Sequence, residues 1–141
     1  FALKKITNKN SIVRQSSLYQ SKPLGFDYQP LFINSVCEVY TELNPWEFLK
    51  MLNTIEDEMG RLRTFQNAPR IIDLDIIVWM NSIISTPTLQ LPHPEMFNRG
   101  FVIEPLLELS FSTIDLNPLR SNLINNYRKL SEKDRPIRLY N

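Results

Sequence analysis

Two carboxylates, Asp73 and Asp75, interrupt an apolar and largely β-branched stretch of the chain at residues 71–79. Successive side chains of a β-strand point to opposite faces, so a strand here would place both carboxylates on one face, about 7 Å apart. Carboxylate oxygens on a rigid element, with coordination positions left for water and phosphate oxygens, are typical of Mg²⁺ sites in phosphoryl-transfer proteins. The spacing therefore predicts a site for a hard divalent cation.

Four arginines, Arg61, Arg63, Arg70 and Arg99, flank this stretch. The guanidinium group matches the geometry of phosphate oxygens and binds them through two parallel hydrogen bonds. Carboxylates and arginines together predict a nucleotide-phosphate site, although arginines in a loop can also be solvated side chains without a ligand.

Composition limits the classes of function. The 141 residues predict a single domain over residues 1–141, and 16 basic against 15 acidic residues give a net charge of +1. Such a balance argues against bulk electrostatic binding to nucleic acid or to an anionic membrane. No apolar run reaches the length of about 18 residues that a membrane span needs, and no signal-peptide pattern is present. With Cys37 as its only cysteine, expected to be a buried and reduced thiol, the chain is predicted to be cytoplasmic.

The elements that must position these residues follow from hydrophobic spacing. Alternation predicts strands over residues 11–20, 31–43 and 69–79. Asn44 followed by Pro45 predicts a helix start, and the helix should run to Met59 before Gly60. Further predictions are a helical end at residues 1–6, loops at 22–30 and 61–68, a hairpin partner at 83–85, helices from 99 and over 119–130, and a peripheral tail at 131–141. Strands separated by helices favour an α+β fold.

Ten short motifs occur in an order that resembles the 6-hydroxymethyl-7,8-dihydropterin pyrophosphokinase family, also called 2-amino-4-hydroxy-6-hydroxymethyldihydropteridine diphosphokinase. The resemblance covers residues 12 to 110. The motifs are Ser17–Tyr19, Pro23–Gly25, Gln29–Pro30, Phe32–Asn34, Ile55–Glu56, Gly60–Arg63, Pro69–Ile76, Leu91–Pro94, Arg99–Val102 and Pro105–Leu106.

The resemblance implies a fold and an activity. The fold is a ferredoxin-like α/β sandwich with a mixed, mostly antiparallel sheet, whose N-terminal strand is missing before Phe1. The activity is transfer of pyrophosphate from ATP to 6-hydroxymethyl-7,8-dihydropterin, which gives AMP and the pterin diphosphate in folate biosynthesis. The domain could stand alone or be fused to another folate enzyme. Two alternatives stay open: a non-catalytic pterin-binding or scaffold module of a multifunctional folate enzyme, and a generic metal-dependent nucleotidyltransferase.

The resemblance also implies roles for individual residues. Two Mg²⁺ ions are expected on Asp73 and Asp75, and Asp73 would also help to accept the hydroxyl proton. The implied catalytic residues are Asp73, Asp75, Arg61 and Arg70; the ATP-binding residues are Glu56, Arg61, Arg63, Arg70, Ile76, His93 and Arg99; and the pterin-binding residues are Ser21, Leu24, Phe32, Asn34, Asp73 and Phe101.

Several of these residues have a plainer interpretation from the sequence alone. His93 is the only histidine, and a lone histidine is more often structural. Glu56 is equally compatible with a solvated helix face, and Phe32 and Phe101 with an ordinary hydrophobic core. Asn34 is harder to explain as core, because an amide among apolar residues must find hydrogen-bonding partners.

Overall fold

The computed structural model describes residues 1–8, 10–21, 32–60, 72–109 and 117–139. The elements are α1 (Ala2–Thr7), β1 (Ser11–Gln15), β2 (Leu18–Ser21), β3 (Phe32–Asn34), β4 (Cys37–Tyr40), α2 (Pro45–Gly60), β5 (Ile84–Ser85), β6 (Gln90–Leu91), α3 (Gly100–Glu108), α4 (Asn117–Lys129), a 3₁₀ turn (Glu132–Asp134) and β7 (Ile137–Leu139). The strands form three small sheets, ordered β1-β4, β3-β2-β7 and β5-β6. Helices together with small sheets confirm the α+β class.

The chain divides into two compact units. The first contains Phe1–Ile12 and Val39–His93, and the second contains Val13–Glu38 and Pro94–Asn141. In the described part of the chain, no helix is both long enough and apolar enough to cross a membrane.

The first unit is built around one face of α2. Phe48, Leu52 and Ile55 recur at the spacing of a helical stripe and are all buried. They pack in a cluster with Ala2, Ile6, Ile76, Leu89 and Leu91. The predicted start of this helix is confirmed, because the side-chain oxygen of Asn44 accepts a hydrogen bond from the Glu47 amide at 2.9 Å.

The stretch that carries the two aspartates is not a β-strand. The structure assigns no strand to residues 72–79, so that prediction is wrong. A strand is defined by a ladder of hydrogen bonds to a neighbouring strand. Here the Leu74 amide donates to a side chain of α2, and the Ile77 carbonyl accepts from the isolated His93 amide. The predicted hairpin partner at 83–85 instead contributes β5, which pairs with β6 through Ile84 and Leu91.

The second unit contains the antiparallel sheet β3-β2-β7. The two long strands predicted over residues 11–20 and 31–43 are each broken into two. At the first break, the buried Ser16 donates its amide to the Val36 carbonyl at 2.8 Å, and its hydroxyl accepts the Val36 amide at 2.9 Å. The serine hydroxyl thus competes with the regular ladder at the point where both predicted strands are interrupted.

The C-terminal segment contributes to this sheet. Sequence patterning predicts residues 131–141 to be a peripheral tail, whereas Ile137–Leu139 forms β7 and pairs with β2. The partners are Leu18 with Leu139 and Gln20 with Ile137. Helix α3 packs against both α4 and β2.

Gly100, the first residue of α3, lies against the segment that leads into β7. A Cβ atom at this position would be 2.5 Å from the Asp134 carbonyl oxygen and 3.1 Å from Pro136 Cδ. A backbone oxygen cannot move away as a flexible side chain can. The close approach of these two segments therefore requires glycine.

We expect Gly100→Ala to destabilise the protein by about 1–3 kcal/mol, because the added methyl group overpacks this contact. Glycine to alanine inside a helix normally stabilises by about 1 kcal/mol, so the sign of the change is diagnostic. Urea unfolding measures it. Ser121→Ala, at an exposed position of α4, is the control and should change stability by no more than about 0.5 kcal/mol. A gain in stability for Gly100→Ala would contradict the contact.

Candidate active site

Asp73 and Asp75 are both exposed, and the residues between and beside them turn inward. Ile76 is buried in the core of the first unit, and Ile72 and Leu74 pack against that core. The predicted alternation is therefore confirmed in the burial pattern, even though the segment is not a strand. Two carboxylates reach solvent from a backbone that is fixed by its apolar side chains.

Glu56 of α2 holds this segment from the other side. Its Oε1 atom accepts a hydrogen bond from the Leu74 amide at 2.7 Å, between the two aspartates. Hydrogen bonds with an ionised acceptor are among the stronger ones in proteins. The sequence is compatible with a nucleotide contact or a solvated side chain for Glu56, but it does not reveal the contact with the main chain of Leu74. No local pattern relates residues 18 apart in sequence.

We expect Glu56→Ala to leave the Leu74 amide without its acceptor and to cost about 1–3 kcal/mol of unfolding free energy. Hydrogen exchange should show faster exchange of this amide. Glu56→Gln keeps an acceptor oxygen and should lose less stability, and Asp57→Ala removes a neighbouring exposed carboxylate as a control. Unchanged protection of Leu74 in the alanine variant would show that Glu56 does not hold the segment.

His93 lies close to the same segment. Its main-chain amide donates to the Ile77 carbonyl at 2.8 Å, two residues beyond Asp75. Trp79 packs edge-on against Phe48, with ring centroids 5.5 Å apart and an interplanar angle of 71°. The structure thus brings Glu56 and His93 to the aspartate segment, residues 72–79, which itself contains Ile76, and all of these lie in the first unit.

The second unit carries a different group of predicted site residues. In the β2–β3 pair Ser21 is opposite Phe32, and Tyr19 is opposite Asn34. Opposed residues project from the same face of a sheet, so Phe32 and Asn34 share a face with Ser21. Phe32 is 54% exposed, which excludes the interpretation of this ring as ordinary core.

Arg99 and Phe101 lie at the start of α3. The Arg99 guanidinium is 5.7 Å from the centroid of the Phe101 ring, and its Nε atom is 3.8 Å from a Glu95 carboxylate oxygen. Phe101 is only partly buried. An aromatic face and a cation are therefore both accessible at this end of the helix.

Ser17, Tyr19, Glu108 and Arg138 form a polar cluster that was not predicted from the sequence. Glu108 accepts the Ser17 amide at 2.6 Å and lies 2.6 Å from Arg138. Burial opposes ionisation of Glu108, but its hydrogen bonds with Ser17 and the nearby Arg138 charge hold its pKa below the usual range. Burial, and next the Glu108 charge, raise the pKa of Tyr19 to about 12. Ser17 and Tyr19 belong to one of the ten motifs, but no local pattern relates them to Glu108, which lies 91 residues from Ser17 in the chain.

Cys37 is partly buried, and burial raises the pKa of its thiol. Leu24, Arg61, Arg63 and Arg70 lie outside the described residues, so their roles stay predictions.

The donor set of the aspartate segment suits Mg²⁺. Within the described ranges, no group of three or more histidine, cysteine, aspartate or glutamate side chains could hold a metal ion. Asp73 and Asp75 offer two exposed carboxylates, and Mg²⁺ commonly takes one or two carboxylates and completes its octahedron with water and phosphate oxygens. The residues therefore fit an ion that is bound together with a phosphate substrate.

Comparison with known proteins gives a consistent result. The family model described as 7,8-dihydro-6-hydroxymethylpterin-pyrophosphokinase matches residues 1–111. The 2-amino-4-hydroxy-6-hydroxymethyldihydropteridine pyrophosphokinase of Haemophilus influenzae is 43% identical over 109 residues, which are 77% of this chain and 68% of that protein. The protein of the same name from Aquifex aeolicus is 37% identical over 113 residues, 80% of this chain and 71% of that protein.

Longer relatives also match. The folic acid synthesis protein fol1 of Pneumocystis carinii is 43% identical over 110 residues, which are 77% of this chain. The chain spans 15% of the length of that protein and 17% of the length of the Dictyostelium discoideum protein FOL1.

Proposed function

Because the chain belongs to the 7,8-dihydro-6-hydroxymethylpterin-pyrophosphokinase family, we propose that it transfers a pyrophosphoryl group from ATP to 6-hydroxymethyl-7,8-dihydropterin in folate synthesis. The single observation that carries the proposal is the exposed pair Asp73 and Asp75 on a segment fixed by Ile76 and by the hydrogen bond from Leu74 to Glu56.

The proposed reaction is an in-line displacement at the β-phosphorus of ATP. The hydroxyl oxygen of the pterin forms a bond to this phosphorus, and the bond to the oxygen that bridges the α- and β-phosphates breaks. AMP leaves with that oxygen, and the hydroxyl proton passes first to Asp73, the candidate acceptor, and from there to solvent. Phosphoryl transfer depends mainly on positioning and charge stabilisation, so a nucleophilic side chain is not required.

Asp73 and Asp75 are the proposed Mg²⁺ ligands, with two ions expected from the family resemblance. Bound Mg²⁺ supplies charge neutralisation on the phosphate oxygens. The two aspartates themselves set where the ions lie, because their backbone is held by the core on one side and by Glu56 on the other.

ATP is the proposed co-substrate. The proposed contacts are Glu56, Arg61, Arg63, Arg70, Ile76, His93 and Arg99, with Arg61 and Arg70 as the arginines that stabilise the transferred group. Support comes from the first unit, where Glu56 and His93 contact the segment that carries Asp73, Asp75 and Ile76. Glu56 would act chiefly by holding Leu74, since its Oε1 atom is already engaged there.

The pterin is proposed to stack between Phe32 and Phe101. A flat, amide-edged ring needs aromatic faces together with a few hydrogen-bonding groups. Asn34 shares a sheet face with Phe32 and is proposed to bind the pterin edge, as are Ser21 and Leu24. Asp73 is the further pterin-binding residue that the family resemblance implies. The partial exposure of both rings supports this arrangement.

The finer fold and the setting of the domain are also proposals. We propose a ferredoxin-like sandwich that includes a further N-terminal strand, as the family resemblance implies. The chain spans 15% and 17% of the length of the two longer relatives. This small coverage supports a domain that can occur within a longer folate enzyme.

The test is product analysis with ATP, Mg²⁺ and the pterin alcohol. We expect AMP and pterin diphosphate in equal amounts, with none formed after chelation of Mg²⁺. Release of ADP and phosphate, or AMP formation that is independent of the pterin, would contradict the proposal. Binding of both substrates without AMP formation would instead favour the non-catalytic module.

A further inference from the structure

One carboxylate in the second unit, that of Glu108, joins three elements. It is the last residue of α3. Its Oε2 atom accepts the amide of Ser17, just before β2, at 2.6 Å. Its Oε1 atom lies 2.6 Å from Nη2 of Arg138 in β7, and Nε of Arg138 donates to the Ser17 hydroxyl at 3.0 Å. The end of α3, the start of β2 and the middle of β7 therefore converge on a single side chain.

This contact is partly withdrawn from water. The Glu108 side chain is 17% exposed, and its partner Arg138 is 41% exposed. The hydroxyl of Tyr19, which is 1% exposed, also donates to Glu108. The Glu108 carboxylate is surrounded by several donors, and each donor would be left without an acceptor if the carboxylate moved away. The hydrogen bonds therefore favour one placement of the end of α3.

Of the elements that Glu108 joins, α3 carries one proposed pterin-binding ring and β2 is paired with the strand that carries the other. Phe101 is the second residue of α3, and Phe32 and Asn34 belong to β3, which is paired with β2. The distance between the two aromatic rings is thus set by how α3 lies on the sheet. Helix α3 packs directly against β2, and Glu108 is its polar tie to that strand.

We infer that Glu108, together with Arg138, is a positioning residue that sets the separation of Phe101 from Phe32 and thereby the affinity for the pterin. It acts through the placement of the two rings and not through contact with the substrate. The inference rests on the proposed function, because the pterin-binding roles of Phe32 and Phe101 are themselves part of that proposal.

A second carboxylate of α3 supplies a matched comparison. Glu104 lies one turn earlier and accepts a hydrogen bond from the Tyr127 hydroxyl at 2.9 Å. Tyr127 belongs to α4, so this contact ties α3 to a helix and not to the strand beside β3. Glu104→Gln and Glu108→Gln are the same chemical change in the same helix, and they differ in which element is released.

The experiment measures two dissociation constants and the melting temperature for the wild type, Glu108→Gln, Arg138→Gln and Glu104→Gln. The ligands are 6-hydroxymethylpterin, in the presence of a non-hydrolysable ATP analogue and Mg²⁺, and the analogue alone. We expect Glu108→Gln and Arg138→Gln to weaken pterin binding about tenfold, as small misplacements of binding groups do, with analogue binding changed by less than about twofold. Glu104→Gln should lower the melting temperature without changing the ratio of the two constants.

Equal changes in both constants for Glu108→Gln, or no change in either, would overturn the inference and leave Glu108 a purely structural residue. Should that variant fail to fold, Arg138→Gln decides the matter, because Arg138 is the more exposed partner. A wild-type protein that binds the analogue but not the pterin would overturn the proposed function, and this inference with it. Wild-type binding of both ligands with unselective variants would overturn the inference alone.

Discussion

Replacing Asp75 with alanine is expected to abolish pyrophosphoryl transfer while leaving the fold intact. Asp75 is exposed, and its neighbour Ile76 carries the contact with the core. Loss of a metal ligand removes charge stabilisation worth several kcal/mol, so turnover should fall by at least about 10³-fold. Unfolding free energy should change by less than about 0.5 kcal/mol, because Asp75 is an exposed side chain outside the core.

Steady-state turnover over a range of Mg²⁺ concentrations, with urea unfolding alongside, checks this expectation. Asp57→Ala is the matched control, since it removes an exposed carboxylate of α2 that has no proposed role in the reaction. Its turnover and Mg²⁺ dependence should equal those of the wild type. Wild-type turnover in Asp75→Ala would remove this residue from the proposed metal site and would leave Asp73 to be tested in the same way.

Replacing Phe101 with alanine is expected to weaken pterin binding much more than ATP binding. An aromatic ring stacked on a flat heterocycle contributes about 1–3 kcal/mol, so the dissociation constant for the pterin should rise about 5- to 150-fold. The constant for an ATP analogue should change by less than about threefold. The small effect on the analogue would come from Arg99, whose guanidinium lies 5.7 Å from the Phe101 ring centroid.

Calorimetric titration with each ligand separates these effects. Phe101→Tyr keeps an aromatic face and should bind the pterin within about threefold of the wild type. Tyr40→Ala removes a ring that is 64% exposed on β4 and that has no proposed contact with either ligand, so both constants should stay unchanged. If Phe101→Ala weakened both ligands equally, the ring would be a general packing residue and the proposed stacking would be wrong.

The combination of Asp75 and Phe101 tests the two halves of the proposed reaction separately. One residue belongs to the first unit and the other to the second. A protein that loses turnover but keeps pterin binding when Asp75 is changed, and loses pterin binding when Phe101 is changed, matches the assigned roles.

What the sequence by itself determined is local. The start of α2 follows from Asn44 before Pro45, its buried stripe follows from helical spacing, and the alternation of Asp73 and Asp75 with Ile76 follows from period-two spacing. Each of these depends on residues a few positions apart, whose relation the backbone geometry dictates in advance. The order of motifs also identified the family, because each motif is recognised from consecutive residues without knowledge of its tertiary contacts.

Only the tertiary structure decided which distant groups meet. Leu74 finds its acceptor 18 residues away in Glu56, and Ser17 finds Glu108 91 residues away. It also decided that the aspartate segment is held by a helix side chain instead of a strand ladder. The physical reason is that packing of complete helices and strands decides which side chains come into contact. The residue type determines how many hydrogen bonds a group can form, but it does not determine with which distant group they form.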